Sequence, residues 1–151
     1  DVRIVRLRPG QTEVARNLFA MMARVFDEAA GDEPGPAYVE RLLSDRDFWA
    51  LAAFDDEELV GGLTAHTLPM TRSESFEVFI YDLAVRSDAQ RRGIGRRLVA
   101  EIRAQARAEG IDDVFVPADN DDQHALDFYT AIGGEAAPVT IFSFHGRERE
   151  T

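Results

Sequence analysis

The sequence has no cysteine and no lysine; all 17 of its basic residues are Arg. Without Cys there is no disulfide, no thiolate zinc site and no thiol nucleophile. Without Lys there is no Walker A loop and no Schiff base, which excludes P-loop nucleotide hydrolysis and pyridoxal chemistry at the level of motif. His66, His124 and His145 fall at no metal-ligand spacing, and His66, inside an alternating run, reads as a packed or surface residue rather than a ligand. There is no G-x-S-x-G elbow, and Ser44, Ser73, Ser75, Ser87 and Ser143 have no nearby His–acid pairing. Direct attack between two bound substrates is therefore a simpler expectation than a covalent intermediate. No stretch approaches the roughly 20 apolar residues of a membrane span, and no signal-like segment opens the chain. A cytoplasmic location with no membrane partner is expected.

The chain has 151 residues, 45% of them hydrophobic, which fits a single globular domain over residues 1–151, with 145–151 read as a flexible tail. Its net charge is −11 but is unevenly spread. Between Arg86 and Arg107 seven Arg face only Asp88 and Glu101, a local surplus of +5, so the rest of the chain holds −16. This segregation suggests an anionic ligand at the Arg-rich segment and a cationic one over acidic surface. Strong overall acidity argues against nucleic acid as the main partner.

Periodicity gives the element order β-α-α-β-β-β-α-β-α-β, an α/β arrangement with a mixed sheet. Residues 2–7 alternate as a strand. Val14, Leu18, Met22 and Val25 then fall at helical spacing, with Phe19 and Phe26 widening the stripe. An acidic loop (27–35) precedes a short helix opened by Pro36. Strands at 48–54 and 59–68 flank the acidic turn Asp55-Asp56-Glu57-Glu58. The run from Glu77 to Val85 is nearly all apolar, as a strand covered on both faces would be, with Asp82 as the exception. A helix from about Gly93 to Glu109 ends at Gly110. A strand at 114–116, a helix N-capped by Asp122 and stopped by Gly133-Gly134, and a last strand at 139–144 complete the order.

The junction Gln90-Arg91-Arg92-Gly93-Ile94-Gly95 joins the apolar strand to the third helix. Its glycines allow a tight turn and close ligand approach, and the free N–H groups of the first helical turn suit a pyrophosphate. Arg91, Arg92, Arg96 and Arg97 add cations.

Three segments together resemble the GCN5-related N-acetyltransferase superfamily. They are the junction itself, as Q/R-x-x-G-x-G/A; the preceding Asp82-Leu83-Ala84-Val85; and Asp122, Ala125, Tyr129 and Gly133, as N-x-x-A-x-x-x-Y-x-x-x-G. Asp122 replaces the usual Asn, and Gly134 stands where Phe commonly follows. The segments Phe54-Asp55, Ile80 to Val85, Ala118 to Asp122 and Leu126-Asp127-Phe128-Tyr129-Thr130 are further similar to type I aminoglycoside 3-N-acetyltransferases, a likeness running from Phe19 to Phe144.

The resemblance implies an α/β (α+β) fold of six to seven strands in a mixed, mostly antiparallel sheet with four helices, split between two central strands. It implies acetyl-CoA as donor and CoA as product. Backbone of Leu83, Ala84 and Val85 would pair with the pantetheine arm, and Gln90, Arg91, Arg92, Gly93, Ile94, Gly95 and Arg96 would hold the pyrophosphate. Tyr129 would protonate the departing thiolate. An acceptor ammonium has to lose a proton, for which Asp82, Glu77, Asp119 and Asp122 are candidates, Asp82 first. Asp27, Glu28, Asp32 and Glu33 would form one acceptor wall and Asp119, Asp121 and Asp122 the opposite one, with Glu77 a further acceptor-binding residue. A polycationic aminoglycoside acetylated at its 3-amino group, as in antibiotic resistance, is the expected acceptor. Another amine (a polyamine, a small metabolite or a protein amine) and a non-catalytic acyl-CoA-binding module stay open. The last strand, with Phe142 and Phe144, either covers a sheet edge or builds a homodimer.

Overall fold

Five of the expected strands form where the apolar runs mark them. The computed structural model describes residues 1–28 and 33–146. These fall into two compact units, one of Asp1–Pro117 and one beginning at Ala118. The first contains β1 (Val2–Arg6), α1 (Thr12–Val25), α2 (Pro36–Ser44), β2 (Phe48–Asp55), β3 (Glu58–Pro69), β4 (Phe76–Val85), a 3-10 turn at Ser87–Ala89, α3 (Ile94–Ala108) and β5 (Asp113–Phe115). The second contains α4 (Gln123–Ala131). The sheet order is β1-β2-β3-β4-β5, antiparallel throughout except for the parallel β4–β5 pair.

Strict alternation along β2 sends its side chains to two cores. Trp49, Leu51 and Ala53 join Leu63, Val78 and Ile80 against Leu98 and Ile102 of α3. Phe48, Ala50 and Ala52 join Leu18, Met22, Val39 and Leu43 of α1 and α2. Each fully buried aliphatic side chain contributes about 1.5–3 kcal/mol, so coverage on both faces is what holds the sheet. Trp49 is completely buried; its indole N–H donates to the Thr67 hydroxyl at 2.8 Å, and the Arg6 guanidinium lies 3.4 Å from its ring centroid.

Strand β4 departs from ideal pairing in two places. In register with β3, Asp82 faces Thr64 and Ile80 faces Ala65, so Tyr81 is an extra, unopposed residue. This β-bulge resets the alternation. Val78 and Ile80 point to the α3 core before it, and Leu83 and Val85 do so after it, while Ala84 joins the α1 core. The expected covering on both faces holds for Val78, Ile80 and Ala84, whereas Tyr81 is 61% exposed. On its other edge β4 pairs with β5 only from Glu77 to Phe79. Within the first unit, no described strand lies along that edge from Ile80 to Val85.

The last expected strand is a correction. Among the described residues the sheet has five strands, not six to seven, and residues 139–144 take no regular structure. Their alternation carries β propensity, but a strand exists only through a hydrogen-bonded neighbour. Among the described residues of the second unit α4 is the only regular element, and Val139, Ile141, Phe142 and Phe144 are all exposed. Of the expected tail, residues 147–151 lie outside the described residues.

Helix α1 approaches the sheet closely because β3 offers Gly62, where an added Cβ would collide with the Leu18 side chain and lie 3.0 Å from the Leu51 carbonyl oxygen. Overpacking of this kind costs about 1–3 kcal/mol. Gly62→Val is expected to lower the urea-unfolding midpoint accordingly; an unchanged midpoint would mean that α1 shifts outward without penalty.

Candidate active site

The turn before α3 is built as the sequence suggests. Gly93, at φ +75°, serves as N-cap, and no side chain caps the first turn. The leading N–H groups of Ile94, Gly95 and Arg96 are therefore not taken by a capping side chain, which leaves a donor cluster suited to an anion. An added Cβ at Gly93 would meet nothing within 4 Å, so the approach is open. Arg91 is also left-handed, at φ +66°, and its side chain and that of Arg96 are exposed. This donor set fits a pyrophosphate.

Not every cation of the Arg-rich segment is available to a ligand. Arg92 bonds Asp55 at 2.9 Å, and this hydrogen bond holds the Asp55 carboxyl below the usual carboxylate range. Arg86 clamps Asp88 at 2.6 Å and Glu58 at 3.0 Å, which pins the β4–α3 loop to the β2–β3 turn. The Gln90 amide donates to the Val85 carbonyl at 3.1 Å, so its side chain organises the strand end. The edge of Leu83, Ala84 and Val85, along which no described strand of the first unit runs, lies just before this loop.

On the α1 face a cleft of about 150 Å³ is lined by Phe19, Met22, Ala23, Phe26, Glu28, Thr64 and Asp82. The bulge is what aims Asp82 here. Loss of water pushes the Asp82 carboxyl above its ordinary value, and the negative charge of Glu28 adds to the rise. A more basic carboxylate is a better proton acceptor near neutral pH.

The other expected site residues are spread around these features. Glu77 is half-buried near the start of β4, paired in register with Asp113, and does not line the cleft. Asp27, at φ +56°, and Glu33 are exposed and also lie outside the lining; Asp32 falls outside the described residues. In the second unit Asp119, Asp121 and Asp122 are exposed. Asp119 accepts from the Asp121 N–H at 2.9 Å, and Asp122 caps α4 by accepting from the Ala125 N–H at 3.1 Å, as expected. Tyr129 lies on α4, half-buried, with its ring edge-on to Phe128 at 5.1 Å between centroids. The helix closes with Gly133 N–H to Thr130 O and Gly134 N–H to Tyr129 O, a Schellman pair. An added Cβ at Gly134 would lie 2.9 Å from the Tyr129 carbonyl oxygen, which accounts for glycine there.

Sequence reasoning missed Met22, Thr64 and the aromatic lining of Phe19 and Phe26. The signal was the widened stripe of α1: Phe26 is 41% exposed, so that end of the stripe faces a cleft rather than the core. It also missed Arg24, which with Met21, Val25, Arg86, Ser87 and Gln90 lines a second cleft of about 270 Å³. Among the described residues no group of three or more His, Asp or Glu is placed to hold a metal, and no helix is long and apolar enough to cross a membrane.

Strand β4, paired with β5 only from Glu77 to Phe79, thus leads into a helix start whose uncapped N–H groups suit an anion. Residues 15–133 match the acetyltransferase (GNAT) family, and the chain belongs to it. An aminoglycoside acetyltransferase from an uncultured soil metagenomic sample superposes with a TM-score of 0.92 at 32% identity, covering 97% of this chain and 99% of that one. Another from such a sample, in complex with sisomicin, gives a TM-score of 0.91 at 29% identity, covering 97% of each chain. The mycothiol acetyltransferase of Rhodococcus jostii (strain RHA1) is 33% identical over 88 residues, or 58% of this chain; the match spans 29% of that protein's length.

The electrostatics of the cleft can be tested on Asp82 itself. Because folding raises its carboxyl, Asp82 favours the folded state below the ordinary carboxylate range, and this contribution is lost as pH climbs through the raised value. Glu28→Gln removes the like charge and is expected to lower the Asp82 titration midpoint, followed by side-chain carboxyl NMR. A midpoint that does not move would show that Glu28 is too well solvated to couple.

Proposed function

We propose that this chain transfers an acetyl group from acetyl-CoA directly to the 3-amino group of an aminoglycoside, and so confers resistance on a cell that makes it. The observation that carries this reading is the Asp82–Glu28 cleft, where two carboxylates share an aromatic-walled space and Asp82 comes from the strand that leads into the turn before α3. The similarity to aminoglycoside acetyltransferases over almost the whole chain supports it.

Acetyl-CoA supplies an activated thioester when bound. The N–H groups of Ile94, Gly95 and Arg96, with Arg91 and Arg96, would hold its pyrophosphate, and the backbone of Leu83 to Val85 would pair with the amide groups of its arm as an added strand does. The acceptor arrives as an ammonium, drawn by Glu28 and the surrounding acidic surface. Asp82, made more basic by burial and by Glu28, accepts the proton that must leave before the nitrogen has a lone pair. Tyr129 would donate a proton to the leaving thiolate. Asp27 and Glu33 serve as outer attraction for a polycation, and Asp119, Asp121 and Asp122 do so from the second unit.

Gly95→Val places a branched side chain among the donors of the first turn. It is expected to abolish measurable acetyl-CoA binding by calorimetry while leaving the circular dichroism spectrum unchanged; wild-type affinity in this variant would sink the cradle assignment.

An acceptor screen following CoA thiol release, with sisomicin, spermidine and a lysine peptide, tests the function. Sisomicin is expected to be preferred, with product NMR placing the acetyl group on the 3-amino nitrogen. Tyr129→Phe is expected to lower kcat about 10²-fold with little change in KM. Preference for spermidine or the peptide would replace the acceptor, and acetyl-CoA binding without turnover of any amine would leave a binding module.

A further inference from the structure

A row of aromatic side chains crosses the sheet on the same face as the cleft. Register pairs Phe48 with His66, His66 with Phe79, and Phe79 with Phe115, so one line of side chains spans β2 to β5. The rings touch in sequence. Phe48 lies 5.5 Å from His66, His66 6.1 Å from Tyr81, Tyr81 5.7 Å from Phe79, and Phe79 stacks on Phe115 at 5.0 Å with 18° between planes. Phe19, in the wall of the cleft, meets Phe48 edge-on at 6.4 Å, which makes the row continuous with the Asp82 site.

The row sinks under α1 at one end and emerges at the other. Phe48 is buried, whereas Tyr81 is 61% and Phe115 42% exposed. Apolar rings left open to water on a folded domain point to a binding role. The bulge again sets the geometry, because it turns Tyr81 and Asp82 to one face, so the exposed phenol adjoins the carboxylate of the cleft. Two register pairs along from Phe79 and Phe115, Glu77 and Asp113 stand side by side on this same face, and among the described residues neither forms an ion pair. Carboxylates beside ring faces favour a cation lying over those rings.

We infer that Tyr81, Phe79 and Phe115, with Glu77 and Asp113, form a stacking platform for a second, ammonium-bearing sugar ring of the acceptor, beyond the ring whose amine reacts at Asp82. The inference rests on the proposed function and names the part of the substrate that this face selects. Ring C–H groups and an ammonium complement an aromatic surface, and an ammonium gains more from Glu77 and Asp113 than a hydroxyl or neutral amide does, because charge attraction adds to the hydrogen bond. The platform therefore discriminates by ring number and charge, apart from the chemistry at the reacting nitrogen.

The test compares sisomicin, which has several rings, with the single-ring diamine 2-deoxystreptamine, on wild type, Tyr81→Ala, Phe115→Ala and Tyr81→Phe. Both truncated side chains are exposed, so the variants are expected to fold. The ratio of kcat/KM for sisomicin to that for 2-deoxystreptamine is expected to fall about three- to tenfold in each alanine variant and to recover in Tyr81→Phe. A ratio that stays constant, through equal losses on both substrates or none, would overturn the platform while leaving the proposed function standing. Failure of wild type to acetylate either amine would overturn the proposed function, and the platform with it.

Discussion

The constraint on which the rest depends is the unequal partnership of β4. It is hydrogen-bonded to β3 along its length but to β5 over only three residues, Glu77 to Phe79. A short β5 leaves the edge of Ile80 to Val85 without a described strand of the first unit beside it, and an open edge ordinarily costs stability or invites aggregation. The edge is affordable because the strand is anchored elsewhere. Val78, Ile80 and Ala84 are buried, Arg86 fixes the strand end to the β2–β3 turn, and Gln90 folds back onto the Val85 carbonyl. An open edge on a rigid strand is what an extended amide-bearing ligand needs.

The bulge at Tyr81 converts that strand into a site with two differently furnished faces. Without it, Asp82 would share a face with Val78 and Ile80 and lie against the α3 core, where a charge has no partner and a large desolvation cost. With it, the carboxylate turns to the α1 face, half-buried beside Glu28, and its shift is upward because burial and like charge act in the same direction. The residue that breaks the apolar pattern is thus tolerated by a change of face, and its raised basicity follows from the same change.

Much of this was legible in the sequence. Helical spacing placed α1, α3 and α4, Pro36 marked the start of α2, and the acidic turn marked the β2–β3 hairpin, because each rests on local geometry that one segment carries alone. Asp82 stood out by being polar in an apolar run. The bulge itself was hidden, since register is a property of two strands. So was the aromatic row, whose members come from four strands and meet only through pairing. The strand expected at 139–144 failed for the converse reason: its alternation was plain, but a partner cannot be read from one segment. Phe19 and Phe26 read as an over-wide core stripe, and only the packing of α1 shows that the stripe ends at a cleft.

The charge segregation that marked the Arg-rich segment takes a sharper form in the structure. Of its seven Arg, Arg86 and Arg92 are held by Asp88, Glu58 and Asp55, so they shape the loop and are neutralised locally. Attraction for an anion then falls to the uncapped N–H groups of α3 and to Arg91, Arg96 and Arg97. The N–H dipoles act at short range and in fixed directions, whereas exposed guanidinium charges are screened over about 8 Å at physiological salt. On the proposed function, position in the cradle is set by the backbone and approach to it by the arginines, while the excess negative charge elsewhere attracts the cationic partner and opposes the anionic one. The local fields at the two proposed sites are then opposite in sign, and β4 is the element that carries a part of both.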